Sequence, residues 1–341
     1  MASTIAILYP GAMGAALATV LHARNPSLRL LTSIAGRSAS TLARAEAAGL
    51  ENVSLATVVA ESDIIFSILP PSAAVELATS VAALLAAHPR SSSSSGSASA
   101  PAAPVFVDAN AVSPETLGRI GDILGETPLV DASIIGLPPR LADGYEPTLY
   151  LAADARWAAQ LKYVGDALGG DRGLSKVKIL ADAGAGGASA LKMCYGGLAK
   201  GTNGLAAITV LAANAHSPAT AKAFMEELAS SRADVLNSLS FTLNDMPSKA
   251  YRWVGEMEEI SSFISSSLNS TDAGLTHLGL AAVFERLAAD LRATGAAVGA
   301  AADGPVGDAT EVDALKWFAD ESKEVLKAKG YEGKTAYGGK K

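Results

Sequence analysis

The chain has 341 residues, which by size alone suggests about two domains. It carries 27 Lys and Arg against 34 Asp and Glu, a net charge of −7, and neither half is basic, which argues against a phosphate-backbone-binding protein and sets nucleic acid aside as a partner. Hydrophobic residues make up 49% and charged residues 18%, enough apolar material for a core, while aromatics are only 5% and suit close-packed Ala-rich helices better than an all-β sandwich. A single cysteine, Cys194, excludes an intrachain disulfide and a cysteine-based zinc site. No window offers the roughly 18 uninterrupted apolar residues of a membrane span, since the stretch 73–87 carries Glu76, Thr79 and Ser80. The N-terminus lacks the basic leading region of a secretory signal, so the expectation is a cytoplasmic protein without a membrane partner.

In chain order, Thr4–Tyr9 reads as a strand, followed by the turn Pro10-Gly11-Ala12-Met13-Gly14 and a helix to about Ala23. Strands follow at Leu28–Ile34, Asp63–Leu69, Val105–Asp108, Leu129–Ile135, Pro147–Ala152 and Val177–Ala181, with helices at Thr41–Ala48 and Ala73–Ala87. This alternation predicts an α/β Rossmann-type domain, a mostly parallel sheet with helices on both faces. Residues 90–104, rich in Ser, Ala and Pro, read as a flexible surface insertion. After Asp182 the pattern becomes all helical: 188–213, 219–239, 248–268, 274–294 and 308–329. The expected organisation is a nucleotide-binding domain over 1–182, an all-α domain over 183–330 and a mobile tail over 331–341.

A strand, a glycine turn and a helix N-terminus form the setting in which a dinucleotide fingerprint has meaning. Free N–H groups and the positive end of the helix dipole would receive a pyrophosphate. Gly11 would let the backbone approach the phosphates, and Gly14 would let the helix lie close on the sheet. Tyr9 stands where the fingerprint has its first glycine, so the turn can also be read as an ordinary strand–helix connection. The second strand ends in Ala35-Gly36-Arg37-Ser38 with no carboxylate for a ribose 2′-hydroxyl. Arg37 can pair with a 2′-phosphate and Ser38 can donate to it, which favours NADP over NAD. The plainer alternative is a solvated Arg37 and a Ser38 that caps the next helix.

With these residues in view, the chain resembles the β-hydroxyacid dehydrogenase / 6-phosphogluconate dehydrogenase superfamily. Five segments in the family's order carry the resemblance: Gly11 to Gly14; Leu69-Pro70-Pro71; Asp108 to Pro114; Asp131 to Leu137; and Gly186 to Lys192. The closest branch has a 6-phosphogluconate dehydrogenase-like C-terminal domain, and the stretches Ala190–Tyr195, Lys200-Gly201 and Ala250–Ile260 look like it. The resemblance implies that Leu69, Pro70 and Pro71 skirt the nicotinamide half of the cofactor. It also implies that Asn110 lies at both cofactor and substrate, that Ile135 and Gly136 lie at the substrate, and that Lys192 handles the proton of the substrate oxygen. A lysine near the head of an apolar helix, desolvated, would exchange protons near neutrality; a snorkelling surface lysine is the structural alternative.

Helical spacing places Tyr195, Gly196, Ala199 and Asn203 on the face of Lys192. The family usually has Asn where Gly196 stands, and Tyr195 would supply a hydroxyl in its place. Asn110 replaces a substrate-binding serine and keeps donor and acceptor capacity. Ile135 replaces a second serine and cannot hydrogen-bond through its side chain. A bulkier or less charged substrate than a small 3-hydroxy acid therefore fits better. Arg252, Glu256 and Glu259 share a helix face, either as an intrahelical ion-pair row or as a polar patch, and Lys200 is read as a solvated or anion-binding lysine. His22, His88, His216 and His277 show no metal-binding spacing, and His277 reads as structural. Three functions remain in view: an NADP-dependent oxidoreductase acting on a hydroxyl/carbonyl pair through Lys192, an NADPH-dependent imine reductase of the same architecture, and a catalytically silent NADPH-binding protein. The Ala-rich helical half resembles the family's dimerisation apparatus, which implies a homodimer.

Overall fold

In a computed structural model of the chain, the structure describes residues 2–34, 36, 38–88, 103–293 and 310–331. Arg37, all but the last two residues of the 90–104 stretch, and the tail beyond Tyr331 lie outside the described residues. The chain forms two compact units, Met1–Cys194 and Tyr195–Lys341.

The first unit runs β1 (Thr4–Leu8), α1 (Ala12–Arg24), β2 (Arg29–Thr32), α2 (Ala39–Ala47), β3 (Glu51–Asn52), α3 (Leu55–Glu61), β4 (Ile64–Ser67), α4 (Ala74–Ala87), β5 (Val105–Asp108) and α5 (Pro114–Leu124). It continues with β6 (Leu129–Ile135), β7 (Thr148–Ala152), α6 (Ala158–Leu168), β8 (Val177–Ile179) and the head of α7 (Gly187–His216). The eight strands form one sheet in the order β3-β2-β1-β4-β5-β6-β7-β8. Every pairing is parallel except β6 with β7. The mostly parallel Rossmann-type sheet expected from the alternation is therefore present. β1 shows why it needs cover on both sides. Ile5 and Ile7 join a core with Leu17 and Leu21 of α1 and Leu161 and Val164 of α6, while Ala6 and Leu8 join a second core with Leu77 and Val81 of α4 and Ile120 of α5.

The sequence reading lacked β3, α3, α5 and α6. A two-residue strand such as β3 is too short to show a period. Helices α3 and α5 begin at local caps, where Ser54 accepts from the Thr57 N–H and Ser113 from the Thr116 N–H.

The second unit holds the rest of α7, then α8 (Pro218–Ser231), α9 (Ala233–Asp245), α10 (Ala250–Ser267), α11 (Thr271–Ala293) and α12 (Glu311–Ala328). The single helix expected over 219–239 is two helices. Arg232 leaves helical geometry at φ −144°, ψ 53°, with no glycine or proline to mark the break in sequence. Trp253 of α10 meets Phe284 of α11 edge to face at 5.2 Å, and Phe224 of α8 meets Phe318 of α12 at 6.1 Å. Few aromatics suffice because α7 offers glycines to its neighbour: a Cβ on Gly197 would stand 3.2 Å from His277 Nε2, and one on Gly204 2.9 Å from Leu280 Cδ2. No described helix is long and apolar enough to cross a membrane.

Candidate functional site

The strand order turns back between β1 and β4, which places a crevice at the carboxyl ends of these strands. A cavity of about 320 Å³ lies there, lined by Tyr9, Pro10 and Gly11 after β1, Ile34 after β2, Leu69 and Pro70 after β4, Thr41 and Arg44 of α2, and Ala73, Glu76, Leu77 and Ser80 beside or on α4. The predicted turn residues and the Leu69-Pro70 segment thus share one cavity, while Pro71 opens the short 3-10 turn before α4.

The turn joins a left-handed residue to an uncapped helix end. Tyr9 adopts φ 53°, the left-handed conformation for which the fingerprint normally supplies glycine. The departure in sequence therefore leaves the backbone path of the turn intact. Gly11 stands at the N-cap of α1 with no side-chain cap, and the first turn contains no acidic residue. The helix end is left to N–H groups and its positive dipole. A Cβ on Gly11 would meet nothing within 4 Å, whereas one on Gly14 would stand 2.9 Å from Ile68 Cγ2 and 3.2 Å from Ile7 Cγ2. Gly14 is thus a packing glycine, and Gly11 leaves open space above the turn. Ser38 caps α2 by accepting from the Thr41 N–H.

Asn110 is 2% exposed and braces the crevice floor. Its Oδ1 accepts from the Leu69 N–H at 2.7 Å, and its Nδ2 donates to Ser67 Oγ at 2.9 Å and Asp108 Oδ2 at 2.6 Å. Both amide hydrogens are spent inside the protein, so the direct grip on substrate expected of Asn110 gives way to a bracing part. It joins the ends of β4 and β5 and fixes Leu69.

Further along the same edge, β6 holds the head of α7 at two points. The Asp131 carboxylate accepts from the Ser189 N–H at 2.8 Å and Ser189 Oγ at 2.7 Å. The Lys192 Nζ donates to the Ile134 carbonyl at 2.5 Å. Burial pushes the Asp131 carboxyl up to about 6, against the opposing pull of the Ser189 and Ala188 donors. Ile135 is half-buried and Gly136 exposed at the end of the strand. Gly136 has φ 134°, and a Cβ there would stand 2.6 Å from the Tyr145 hydroxyl, so its absent side chain serves the turn itself. The carboxyl edge therefore carries, in order from β2 to β6, the cavity, the Asn110 brace and the half-buried Lys192.

Tyr195, Gly196 and Asn203 belong to the second unit. Tyr195 is exposed, Gly196 is buried, and Asn203 is half-buried. A Cβ on Gly196 would meet only ordinary contacts, so packing does not demand glycine there. Glu256 pairs with Lys200 of α7 at 2.6 Å, both largely buried, in place of an ion pair with Arg252. This corrects the row expected along α10 and the solvated or anion-binding reading of Lys200, whose ammonium lies 5.9 Å from the Trp253 ring centre. His277 packs against α7 in a structural place. Among the described residues no group of three or more His, Cys, Asp or Glu could hold a metal.

Sequence reasoning did not nominate Thr41, Arg44, Glu76 or Ser80. Their spacings, i to i+3 on α2 and i to i+4 on α4, mark shared helix faces. Which face turns to the crevice is decided by packing on the sheet.

Residues 215–298 match a family described as a domain of unknown function, DUF1932. No curated protein matches the chain. Among solved structures, the chain is similar to conserved protein MTH1747, of unknown function and described as structurally similar to 3-hydroxyacid dehydrogenases (23% identity, TM-score 0.57, 86% of this chain and 100% of that one). It is also similar to 3-hydroxyisobutyrate dehydrogenase from Mycobacterium tuberculosis (17% identity, TM-score 0.55, 84% and 100%). A third relative is 3-hydroxyisobutyrate dehydrogenase from Salmonella typhimurium (16% identity, TM-score 0.55, 92% and 98%). What the chain shares with these structures, each under 25% identical to it, is the fold.

Proposed function

We propose that the chain is an NADP-dependent oxidoreductase that acts on the hydroxyl/carbonyl pair of a hydroxyacid-like substrate, bulky or weakly charged, with Lys192 as acid/base. The observation that carries this reading is the uncapped N-terminus of α1, free of acidic residues in its first turn and opening on the cavity at the switch point. Pro10, Gly11, Ala12, Met13 and Gly14 would hold the pyrophosphate, and Leu69 and Pro70 would wall the path toward nicotinamide. When bound, the cofactor supplies or accepts the hydride.

The rest falls to the protein. Lys192, half-buried and held by the Ile134 carbonyl, presents an ammonium at the carboxyl end of β6. There the ammonium would give a proton to a carbonyl oxygen, leaving the neutral amine, and in the reverse direction the neutral amine would take one from a hydroxyl. Ile135 adds apolar surface beside it, which supports the bulky or weakly charged substrate. Arg37, from its place in the sequence after β2, supports NADP over NAD. The resemblance also supports Tyr195 as a catalytic hydroxyl and Gly196 and Asn203 as substrate-binding residues.

The apolar side chains Tyr195, Leu198, Leu205, Leu275 and Leu278, all exposed on α7 and α11, support a homodimer as the working form. A cytoplasmic location belongs to the same proposal.

The test is Lys192→Ala. The variant is expected to lose turnover across a panel of hydroxyacids and aldehydes by at least about 100-fold, the scale of general acid–base catalysis, while NADPH binding persists. Undiminished turnover would remove Lys192 from the chemistry.

A further inference from the structure

The switch-point cavity carries one charge of each sign. Arg44 comes from α2 on one wall and Glu76 from α4 on another. Among the described residues neither makes an ion pair or a side-chain hydrogen bond, with each other or with a third group. The rest of the lining includes apolar Ile34, Leu69, Pro70 and Leu77 and the hydroxyl-bearing Tyr9, Thr41 and Ser80. A receptor for phosphate alone would not place a carboxylate on its wall, because like charges repel. The lining suits a ligand with an anionic group at one end, a flat apolar body, and a hydrogen-bond donor at the other.

The reading of the cavity as a dinucleotide site, on which this inference rests, fixes the order of the parts. The pyrophosphate belongs at the Gly11–Gly14 turn and the adenosine ribose at the end of β2. The space left for the base lies between α2 and α4, where Thr41, Arg44, Glu76 and Ser80 stand. Adenine offers two apolar faces and, at its 6-position, an amino group that only donates. A carboxylate only accepts.

We infer that Glu76 is a specificity-determining residue that accepts a hydrogen bond from the 6-amino group of the cofactor's base, so that the cavity selects 6-aminopurine dinucleotides over 6-oxopurine ones. A 6-oxo group would set an acceptor against the carboxylate. Arg44 attracts the negative charge that the two dinucleotides share and contributes equally to both.

The experiment is equilibrium titration of the full chain with NADPH and with its hypoxanthine analogue, in which a 6-oxo group, with a hydrogen on the adjacent N1, replaces the 6-amino group. The wild-type protein is expected to prefer NADPH by about tenfold or more, the ratio associated with a hydrogen bond to a charged group. Glu76→Ala removes the preference, and Glu76→Lys, which places a donor there, reverses it. Arg44→Ala weakens both ligands by the same factor and leaves their ratio at the wild-type value. Glu76 is exposed in the first turn of α4, so these variants leave the core untouched. Equal binding of the two dinucleotides by the wild-type protein, or a preference that survives Glu76→Ala, would overturn the inference and leave the dinucleotide reading standing. Binding of neither dinucleotide would overturn both.

Discussion

Gly11 and Gly14 stand three residues apart and answer to different demands. Gly14 is pressed between Ile68 and Ile7, while Gly11 faces open space with φ −69°. Gly14→Ala is expected to destabilise the protein by about 1–3 kcal/mol through overpacking. Gly11→Ala is expected to leave the melting temperature of the cofactor-free protein near the wild-type value and to weaken NADPH binding. Thermal unfolding with and without NADPH separates the two, and equal loss of stability in both variants would contradict the assignment. At this scale much of the site was legible in the sequence. The turn and the Leu69-Pro70 segment, which share the cavity lining, and Lys192 were singled out from spacing and resemblance, because glycine, proline and a lone lysine in an apolar run are conspicuous. Asn110 was found but given the wrong partners, since a short amide that can grip a substrate can equally brace two strands. Arg44 and Glu76 were not found, because a charged residue on a helix announces nothing until the helix is docked.

At the scale of elements, two carboxylates tie distant segments together and respond oppositely to acid. Asp131 joins β6 to the head of α7, and burial raises its carboxyl from 3.8 to about 6. Between those values the folded chain retains a proton that the unfolded chain has released. Its contribution to stability therefore falls as pH rises from about 4 to about 6 and is flat above that window. Glu146 joins α1 to the segment before β8 through Arg24 at 2.5 Å and Ser175 at 2.7 Å. Burial pushes its carboxyl up, but the Ser175 and Arg24 donors outweigh this and hold it below the usual range. Its contribution is present above the ordinary carboxylate range and is lost as pH falls through its lowered value. Urea unfolding across pH reads both effects as differences from wild type. The stability of wild type relative to Asp131→Asn should decline between pH 4 and 6, and that relative to Glu146→Gln should rise with pH. A difference that is flat for either pair would contradict the corresponding account. Neither clamp could be read from the sequence, because each joins residues far apart in the chain.

For the whole molecule, strand–helix alternation followed by unbroken helix was enough to read a Rossmann-type region and a helical region. The long, strongly periodic segments carried that reading. The details it lacked were those set by few residues: the two-residue β3, and the break at Arg232, which no glycine or proline marks. The apolar stripe on α7 has a consequence for assembly. Leu198 is 76% exposed, and the proposed homodimer predicts a wild-type dimer by light scattering and a monomer for Leu198→Glu. A wild-type monomer, or a variant that remains dimeric, would contradict the proposed interface.

The central claim is that the crevice at the turn of strand order binds NADP. It is tested most directly by calorimetric titration of the full chain with NADPH and NADH at one fixed salt concentration. The account predicts saturable binding of NADPH, one per chain, tighter than NADH by about tenfold or more, the scale of an added charge-assisted contact. No saturable binding of either dinucleotide would contradict the cofactor site, and equal affinities would contradict the preference for NADP.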